Sequence, residues 1–195
     1  QLIVQTSPTI SGLVNKTICE DGSVTYDITT GGTGVSVAWK GPTNNAITNG
    51  GRFSIASDGD LTINNIVPAD EGNYVVTVTG TCAPAVTGTV ILTVNRKPKI
   101  TTEPVSQAVC LNKSATFSVS ATGFNINYQW FKNSQLINGA TTSTYTIASA
   151  IASDEADYTV VISGGCPPNV TSKVAKLKIE PVSYTHLTRP TSDLG

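Results

Sequence analysis

The sequence has little charge and lacks the long apolar runs that span a bilayer. Charged residues make up 13% of its 195 residues, against roughly 25% in an average globular protein. Its 12 basic and 13 acidic side chains nearly balance, and no basic run occurs. This pattern argues against a surface for nucleic acid or anionic lipid. No apolar stretch approaches the ~20 residues that a transmembrane helix needs.

The side chains that most often perform catalysis or bind metals are also scarce. His186 is the only histidine, and no Cys-x-x-Cys pair occurs, so we expect neither a Ser-His-Asp set nor a metal site. The adjacent acids Asp70 and Glu71, and likewise Asp154 and Glu155, would point to opposite faces of a strand. We therefore interpret them as turn residues, and we expect no enzyme activity and no cofactor.

The residues that are abundant indicate an all-β protein. Threonine, serine, valine, isoleucine and glycine dominate, and valines alternate with polar residues, as in half-buried strands. The segments SVTYDI (23–28) and VSVAWKG (35–41) alternate in this way. In RFSIASDGDLTINNI (52–66), Asp58-Gly59 predicts a hairpin turn. Short strands separated by turn signals predict an antiparallel sandwich.

The chain contains two copies of one module. The segment LIVQTSPTISG at Leu2 matches LTVNRKPKITT at Leu92, and Trp39 and Trp130 lie 91 residues apart. Three further pairs repeat in the same way: Cys19 with Cys110 (91 residues), Asp70 with Asp154 (84) and Cys82 with Cys166 (84). Internal repetition of this kind is typical of an array of domains.

The repeat predicts the domain boundaries. Residues 1–5 are expected to be the last strand of a preceding repeat, 6–96 the first domain and 97–181 the second, so that the chain is a piece of a longer array. The tail at 182–195, VSYTHLTRPTSDLG, does not follow the repeat and resembles a translated sequencing adapter. We interpret it as non-native; the alternative is a natural linker into a third copy.

Three features together resemble the immunoglobulin superfamily, in particular I-set-like domains. They are an inward tryptophan on the third predicted strand, the pattern D-x-[GA]-x-Y before the sixth, and a last strand ending in L-x-[VI]. The second copy, from YQWFKN to ISGGC, is similar to the repeats of bacterial (Bacteroidota-like) secreted and cell-surface proteins. The resemblance implies two tandem immunoglobulin-like antiparallel β-sandwiches in an extracellular array.

The resemblance also implies a structural core without the usual inter-sheet disulfide. Aliphatic residues occupy both cysteine positions, and each copy keeps a tyrosine corner. The implied core residues are Ile28, Trp39, Tyr74 and Val76 in the first copy, and Val119, Trp130, Tyr158 and Val160 in the second.

The four cysteines lie in or directly before turns instead. Cys19 and Cys110 precede the turn between strands A and B, and Cys82 and Cys166 lie in the turn between F and G. In an immunoglobulin sandwich these turns are at opposite ends, about 25–30 Å apart at ~3.3 Å per residue, whereas a disulfide needs Cα atoms within about 7 Å. In a head-to-tail array, however, the A–B end of one copy abuts the F–G end of the next. We therefore predict a Cys19–Cys166 disulfide between copies, with Cys82 and Cys110 bonded to neighbouring repeats.

Two alternatives remain for these cysteines. If the F–G turn folds back, or if the strand assignment is wrong, the pairs Cys19–Cys82 and Cys110–Cys166 would form within each copy. The thiols could also be free.

The predicted function is that of a structural or adhesive module, a spacer or stalk segment of a large extracellular or cell-surface protein. Its predicted partners are neighbouring repeats of the same chain. The alternative is a module that binds a surface glycan or protein, with Phe124, Tyr128 and Phe131 as a binding patch. A non-catalytic accessory domain of a secreted enzyme is a further alternative.

Overall fold

A computed structural model of the chain describes residues 4–181, which divide into two compact units. The first comprises residues 4–98 with segments 123–125 and 164–168; the second comprises 99–122, 126–163 and 169–181. The predicted non-native tail, including His186, lies outside the described residues, as do residues 1–3 of the predicted preceding strand. Residues 4 and 5 of that strand are described and are not in a strand.

The first unit is built from short strands that alternate buried and exposed residues. Between residues 4 and 98 they are β1 (Thr9–Ser11), β2 (Lys16–Cys19), β3 (Val24–Tyr26), β4 (Thr29–Gly31), β5 (Ser36–Lys40), β6 (Ala46–Ile47), β7 (Phe53–Ile55), β8 (Leu61–Ile63), β9 (Gly72–Thr79) and β10 (Val86–Asn95). A single 3₁₀ turn, η1 (Pro68–Asp70), precedes β9.

These strands form two layers. One sheet has the order β2-β10-β9-β5-β6, in which β2 runs parallel to β10, and the other has the order β3-β8-β7. A separate pair, β1-β4, is antiparallel. The predicted all-β sandwich is thus confirmed for this unit.

Aromatic residues from both layers fill the core of the first unit. Trp39 and Tyr26 are fully or almost fully buried, with ring centroids 6.0 Å apart, and Tyr26 lies at the same distance from Tyr74. The indole Nε1 of Trp39 donates a hydrogen bond of 2.8 Å to the carbonyl oxygen of Gly59. Ile28 and Val76 belong to the same cluster.

The second unit repeats this plan. Its described strands are β11 (Lys99–Thr102), β12 (Gln107–Cys110), β13 (Ala115–Ser118), β14 (Ser120–Thr122), β15 (Asn127–Lys132), β16 (Gln135–Leu136), β17 (Thr144–Ile147), β18 (Ala156–Ser163), β19 (Val170–Thr171) and β20 (Ala175–Glu180). A second 3₁₀ turn, η2 (Ala152–Asp154), precedes β18. The larger sheet has the order β12-β20-β18-β15-β16, with β19 beside β18, and faces the pair β13-β17.

The core of the second unit is centred on Trp130. Phe117 stacks on Tyr158 with ring centroids 4.8 Å apart, and Trp130 donates from Nε1 to the carbonyl oxygen of Thr142 at 2.9 Å. Val119 and Val160 are buried in the same cluster. The counterpart of β7 is missing from the described second unit, because only 24 residues separate Trp130 from Asp154, against 31 between Trp39 and Asp70.

One strand prediction was wrong. The sequence predicts a continuous strand over 23–28, but β3 ends at Tyr26 and β4 begins at Thr29. The chain changes partner here, from β8 to β1, and the amide of Ile28 donates to the Asp60 carboxylate at 2.7 Å. The second copy divides in the same way at Val119, between β13 and β14.

Candidate structural joint at Cys19 and Cys166

Cys19 lies at the end of β2, where the chain leaves the larger sheet of the first unit. It is opposite Asn95 in the parallel pairing of β2 with β10. The tight turn that follows is closed by a hydrogen bond from the Gly22 amide to the Cys19 carbonyl at 3.1 Å. Asp21 adopts a left-handed conformation there (φ 62°), and its amide donates to the carbonyl of Ile66 at 2.7 Å.

A disulfide joins Cys19 to Cys166. The Cα atoms are 5.6 Å apart, and the bond links residues separated by 147 positions in the sequence. Both cysteines belong to the first compact unit, because segment 164–168 is part of it. Cys166 is fully buried, and its Sγ lies 3.6 Å from the carbonyl oxygen of Asn95.

A small set of backbone hydrogen bonds holds the loop that carries Cys166. The amide of Phe124 donates to the carbonyl of Arg96 at 3.0 Å, and the amide of Gly165 donates to the carbonyl of Phe124 at 2.8 Å. Gly164 packs so closely against Pro98 that a Cβ atom would lie 2.8 Å from the proline Cγ. We call this arrangement of residues 96–98, 123–124 and 164–166 the cradle.

Polar contacts join the Cys19 turn to the segment that begins the cradle. The amide of Glu20 donates to the carbonyl of Asn95 at 3.0 Å, and the Glu20 carboxylate accepts from the amide of Lys97 at 2.8 Å. The Lys97 ammonium lies 2.6 Å from the Asp21 carboxylate. Because the Asp21 side chain is 67% exposed, this ion pair contributes little stability. The disulfide and the backbone hydrogen bonds are therefore the main stabilising contacts. We call the Cys19 turn, the cradle and the contacts between them the joint.

Each unit has a tyrosine that ties two segments of its own sandwich together. The Tyr74 hydroxyl donates to the Asp70 carbonyl at 2.9 Å, and the Tyr158 hydroxyl donates to the Asp154 carbonyl at 3.0 Å. Burial raises the pKa of both tyrosines above the ordinary value, with the nearby Asp70 and Asp154 carboxylates adding to the effect. Both hydroxyls therefore remain protonated donors at neutral pH.

This geometry agrees with two family comparisons. Residues 9–94 match the immunoglobulin I-set domain and residues 97–163 match an immunoglobulin domain. The chain carries tandem immunoglobulin-like domains. No curated protein matches the chain.

Solved structures share the fold of these immunoglobulin-like domains. The I-band fragment I67–I69 of titin has 17% identity and a TM-score of 0.74, covering 91% of this chain and 67% of the fragment. Dpr11 IG1 bound to DIP-gamma has 18% identity and a TM-score of 0.62, covering 89% and 99%. The four N-terminal domains of a Dscam1 isoform have 19% identity and a TM-score of 0.55, covering 92% and 47%. The chain thus spans about two thirds of the titin fragment and about half of the Dscam1 fragment.

The remaining two cysteines of the tandem domains are unpaired. Cys82 is partly buried and Cys110 is exposed. The alternative pairs Cys19–Cys82 and Cys110–Cys166 are not formed in the structure, because Cys19 and Cys166 are bonded to each other. The Cys82 Sγ instead lies 3.8 Å from the side-chain oxygen of Gln5.

Two of the three aromatic residues predicted as a binding patch, Tyr128 and Phe131, lie on opposite faces of β15. Phe124 is 41% exposed and belongs to the first unit, where its ring packs on Gly165. Tyr128 is partly buried against the core of the second immunoglobulin-like domain. Phe131 has the opposite strand parity to Trp130 on β15 and faces away from that core. Tyr128 and Phe131 therefore do not share a face of their strand, and binding by the three residues stays a prediction.

A cavity in the first immunoglobulin-like domain was not predicted. It has a volume of about 310 Å³ and is lined by Pro42, Ile47, Phe53 and Tyr74, among others. Asp70 also lines it, but its carboxylate is bound by both guanidinium nitrogens of Arg52, at 2.5 and 2.9 Å. Within residues 4–181, no group of three or more His, Cys, Asp or Glu side chains is arranged to hold a metal ion. In the same range no helix is long and apolar enough to cross a membrane.

Sequence reasoning missed the polar partners of the joint and of the tyrosine corner. Glu20, Asp21 and Lys97 surround the disulfide, and Arg52 neutralises Asp70. A signal was available, because acidic residues beside Cys19 and the basic pair Arg96-Lys97 are conspicuous in a chain with so few charges. Only the parallel pairing of β2 with β10 shows that they meet.

Proposed function

We propose that the tandem domains are a spacer or stalk segment of an extracellular or cell-surface protein, with a structural or adhesive role. The Cys19–Cys166 disulfide carries this proposal. It covalently links a turn of the first sequence copy to a loop of the second, in addition to the linker at 96–98. A second covalent connection between the two sequence copies would limit bending, which is the property that a spacer requires.

The chemistry of the joint supports an extracellular location. Disulfides persist in oxidising compartments and are rare where glutathione keeps thiols reduced. The resemblance of the second copy to repeats of bacterial surface proteins supports the same location. We infer that the module is non-catalytic and that neighbouring repeats are its main partners.

Distance measurements between the two domains test the proposal. Spin labels on unnatural amino acids at the exposed positions Val14 and Val174 would report the distribution of distances without adding thiols. We expect a narrow distribution in the C82S/C110S background and a much broader one when C19S/C166S is added. Equally broad distributions would overturn the spacer proposal, and equally narrow ones would show that the disulfide is not what limits bending.

A binding role is the second candidate, favoured by the cavity beside Pro42 and Phe53. In the solved complex of Dpr11 IG1 with DIP-gamma, a protein of this fold binds another, which supports a protein as the ligand of such a surface. Arrays of glycans and extracellular proteins test this role. Binding that is lost in a variant with a filled cavity, such as Thr48→Trp, would support it, whereas no binding at high protein concentration would exclude those ligands.

A further inference from the structure

We propose that Cys82 and Cys110 are the two halves of a second joint, and that each accepts the complementary half of another copy of this repeat. The structure contains one assembled joint, Cys19–Cys166, and one unassembled copy of each of its halves. The inference rests on the spacer function and adds how a further copy of the repeat attaches, through a disulfide between Cys110 and Cys82. Its test measures assembly rather than stiffness, so that the two proposals can fail separately.

The turn at Cys110 reproduces the turn at Cys19. Each cysteine ends a strand that runs parallel to the last strand of its sandwich, opposite Asn95 for Cys19 and opposite Glu180 for Cys110. The Lys113 amide donates to the Cys110 carbonyl at 3.1 Å, the same distance as from Gly22 to Cys19.

The second residue after each cysteine also has the same conformation in the two turns. Asn112 has φ 63°, against 62° for Asp21. Its amide donates to the carbonyl of Ala150 at 2.8 Å, as that of Asp21 donates to Ile66 at 2.7 Å. The backbone around the exposed thiol of Cys110 therefore has the same conformation and hydrogen bonds as the backbone around Cys19.

The loop at Cys82 likewise reproduces the cradle at Cys166. The amide of Thr33 donates to the carbonyl of Thr6 at 3.1 Å, and the amide of Thr81 donates to the carbonyl of Thr33 at 3.0 Å. These bonds are equivalent to Phe124–Arg96 and Gly165–Phe124 of the assembled joint. Pro8 packs against Gly80 as Pro98 packs against Gly164.

The cysteine side chains of the two cradles have equivalent neighbours. The Cys82 Sγ lies 3.8 Å from the side-chain oxygen of Gln5, and the Cys166 Sγ lies 3.6 Å from the backbone carbonyl of Asn95, which occupies the same position of the repeat. Because the backbone hydrogen bonds and the thiol are both preserved, the loop at Cys82, which we call the first cradle, is formed although no turn from another copy is bound to it. This is the pre-organisation that favours docking of a second copy.

The residues around the free thiols change as a matched pair. In the assembled joint Lys97 contacts Asp21. The equivalent of Lys97 in the first cradle is Ser7, and the equivalent of Asp21 in the second turn is Asn112. Both members of the ion pair are therefore replaced by neutral residues, so the second joint would lack this ion pair without leaving one of its two charges unpaired. Its formation should depend little on salt.

Formation of the second joint needs an oxidant, for which we name a small-molecule disulfide such as oxidised glutathione. The thiolate of one cysteine attacks the oxidant and releases one glutathione thiolate, and the second protein thiolate then displaces the other. Two thiols lose two protons and two electrons, and one glutathione disulfide becomes two glutathione molecules. The product is a Cys110–Cys82 bond between two copies.

Mixing two single variants tests the pairing. C82S keeps only the Cys110 half and C110S keeps only the Cys82 half, and isotopic labelling of one of them distinguishes heterodimers from homodimers by mass spectrometry. In glutathione redox buffer we expect heterodimers to exceed homodimers by about tenfold, the effect of contacts worth about 1.4 kcal/mol. The crosslinked peptides should contain Cys110 and Cys82.

Controls keep the test decisive. Each variant must retain the Cys19–Cys166 bond by peptide mapping, which shows that the joint already present is intact, and C82S/C110S should give no dimer. Heterodimers and homodimers in equal amounts would overturn the proposal, because random collision of thiols produces that ratio. Absence of any dimer would overturn it as well.

Placing the two charged residues of the assembled joint at the equivalent positions of the second joint provides an independent test. S7K in the chain that carries Cys82 and N112D in the chain that carries Cys110 rebuild the ion pair of the assembled joint. Together they should accelerate heterodimer formation at low salt by about two- to fivefold, as expected for one exposed pair, and either change alone should not. No acceleration by the pair would show that these residues do not meet.

Discussion

The Tyr74 hydroxyl donates a hydrogen bond of 2.9 Å to the carbonyl oxygen of Asp70, and the same aspartate uses its carboxylate to bind Arg52. The amide of Val67 also donates to that carboxylate, at 2.8 Å. Two segments of the first sandwich, those of Tyr74 and Arg52, are thus tied to the 3₁₀ turn η1, and Val67 caps the turn itself. The second sandwich repeats the arrangement with Tyr158, Asp154 and Lys132.

The tyrosine hydroxyl should stabilise each domain. We expect Tyr74→Phe to lower the free energy of opening of the first domain by about 1 kcal/mol, because the Asp70 carbonyl loses its donor. Hydrogen exchange of amides in β9 measures this change, and β18 of the same chain serves as the unaffected reference. Tyr158→Phe should produce the reverse pattern. Equal changes in both strands would contradict the local role.

For a second buried tyrosine, Tyr26, we expect removal of the hydroxyl to have the opposite effect on stability. Among the described side chains, the Tyr26 hydroxyl is buried without a hydrogen-bond partner, and burial raises its pKa to about 12. Tyr26→Phe removes a polar atom that loses its hydration on folding. We therefore expect unchanged or greater protection of β9 amides, by up to about 1 kcal/mol. A loss similar to that of Tyr74→Phe would show that the hydroxyl is bound in solution.

The Asp70 carboxylate should make the first domain sensitive to acid. Burial opposes its ionisation, but hydrogen bonds from Arg52 and the Val67 amide outweigh burial, and its pKa lies below the ordinary value. The stabilisation is therefore complete above the unfolded-state pKa of about 3.9 and is lost as the pH falls through the lower folded-state pKa. Asp70→Asn should cost about 2 kcal/mol at pH 7 and flatten this acid dependence.

Exchange of β9 amides between pH 6 and pH 2 checks this prediction, with the exposed Asp27→Asn as the matched control. If Asp70→Asn kept the wild-type loss of protection below pH 4, another group would be responsible. Asp154, whose pKa the Lys132 ammonium lowers, should act in the same direction on β18.

Gly59 should be intolerant of a side chain for two separable reasons. It has φ 101°, and a Cβ atom there would lie 2.7 Å from Cγ2 of Val37. Gly51 also has a positive φ (57°), but nothing lies within 4 Å of its Cβ position. We expect Gly51→Ala to cost about 1 kcal/mol and Gly59→Ala to cost at least about 2 kcal/mol. Equal losses, measured by urea unfolding followed at Trp39, would show that Val37 moves aside.

The elements that were predictable depend on local patterns. Strand alternation around Trp39 and Trp130 is visible in the sequence because buried and exposed residues alternate with period two. The change of partner at Ile28 was not visible, because the side-chain alternation continues through it while the hydrogen bonds move to another strand. Arg52 was also missed as the partner of Asp70, since 18 residues separate them.

The sequence by itself determined that this is an all-β protein of two repeated modules, because repetition and alternation are properties of nearby residues. It also placed the cysteines beside turns rather than at the two positions that the inter-sheet disulfide of an immunoglobulin domain occupies. Only the tertiary structure decided which of them meet, since the 147 residues between Cys19 and Cys166 place no constraint on their distance. The parallel pairing of β2 with β10 brings Cys19 beside Asn95, and the cradle brings Cys166 to the same point.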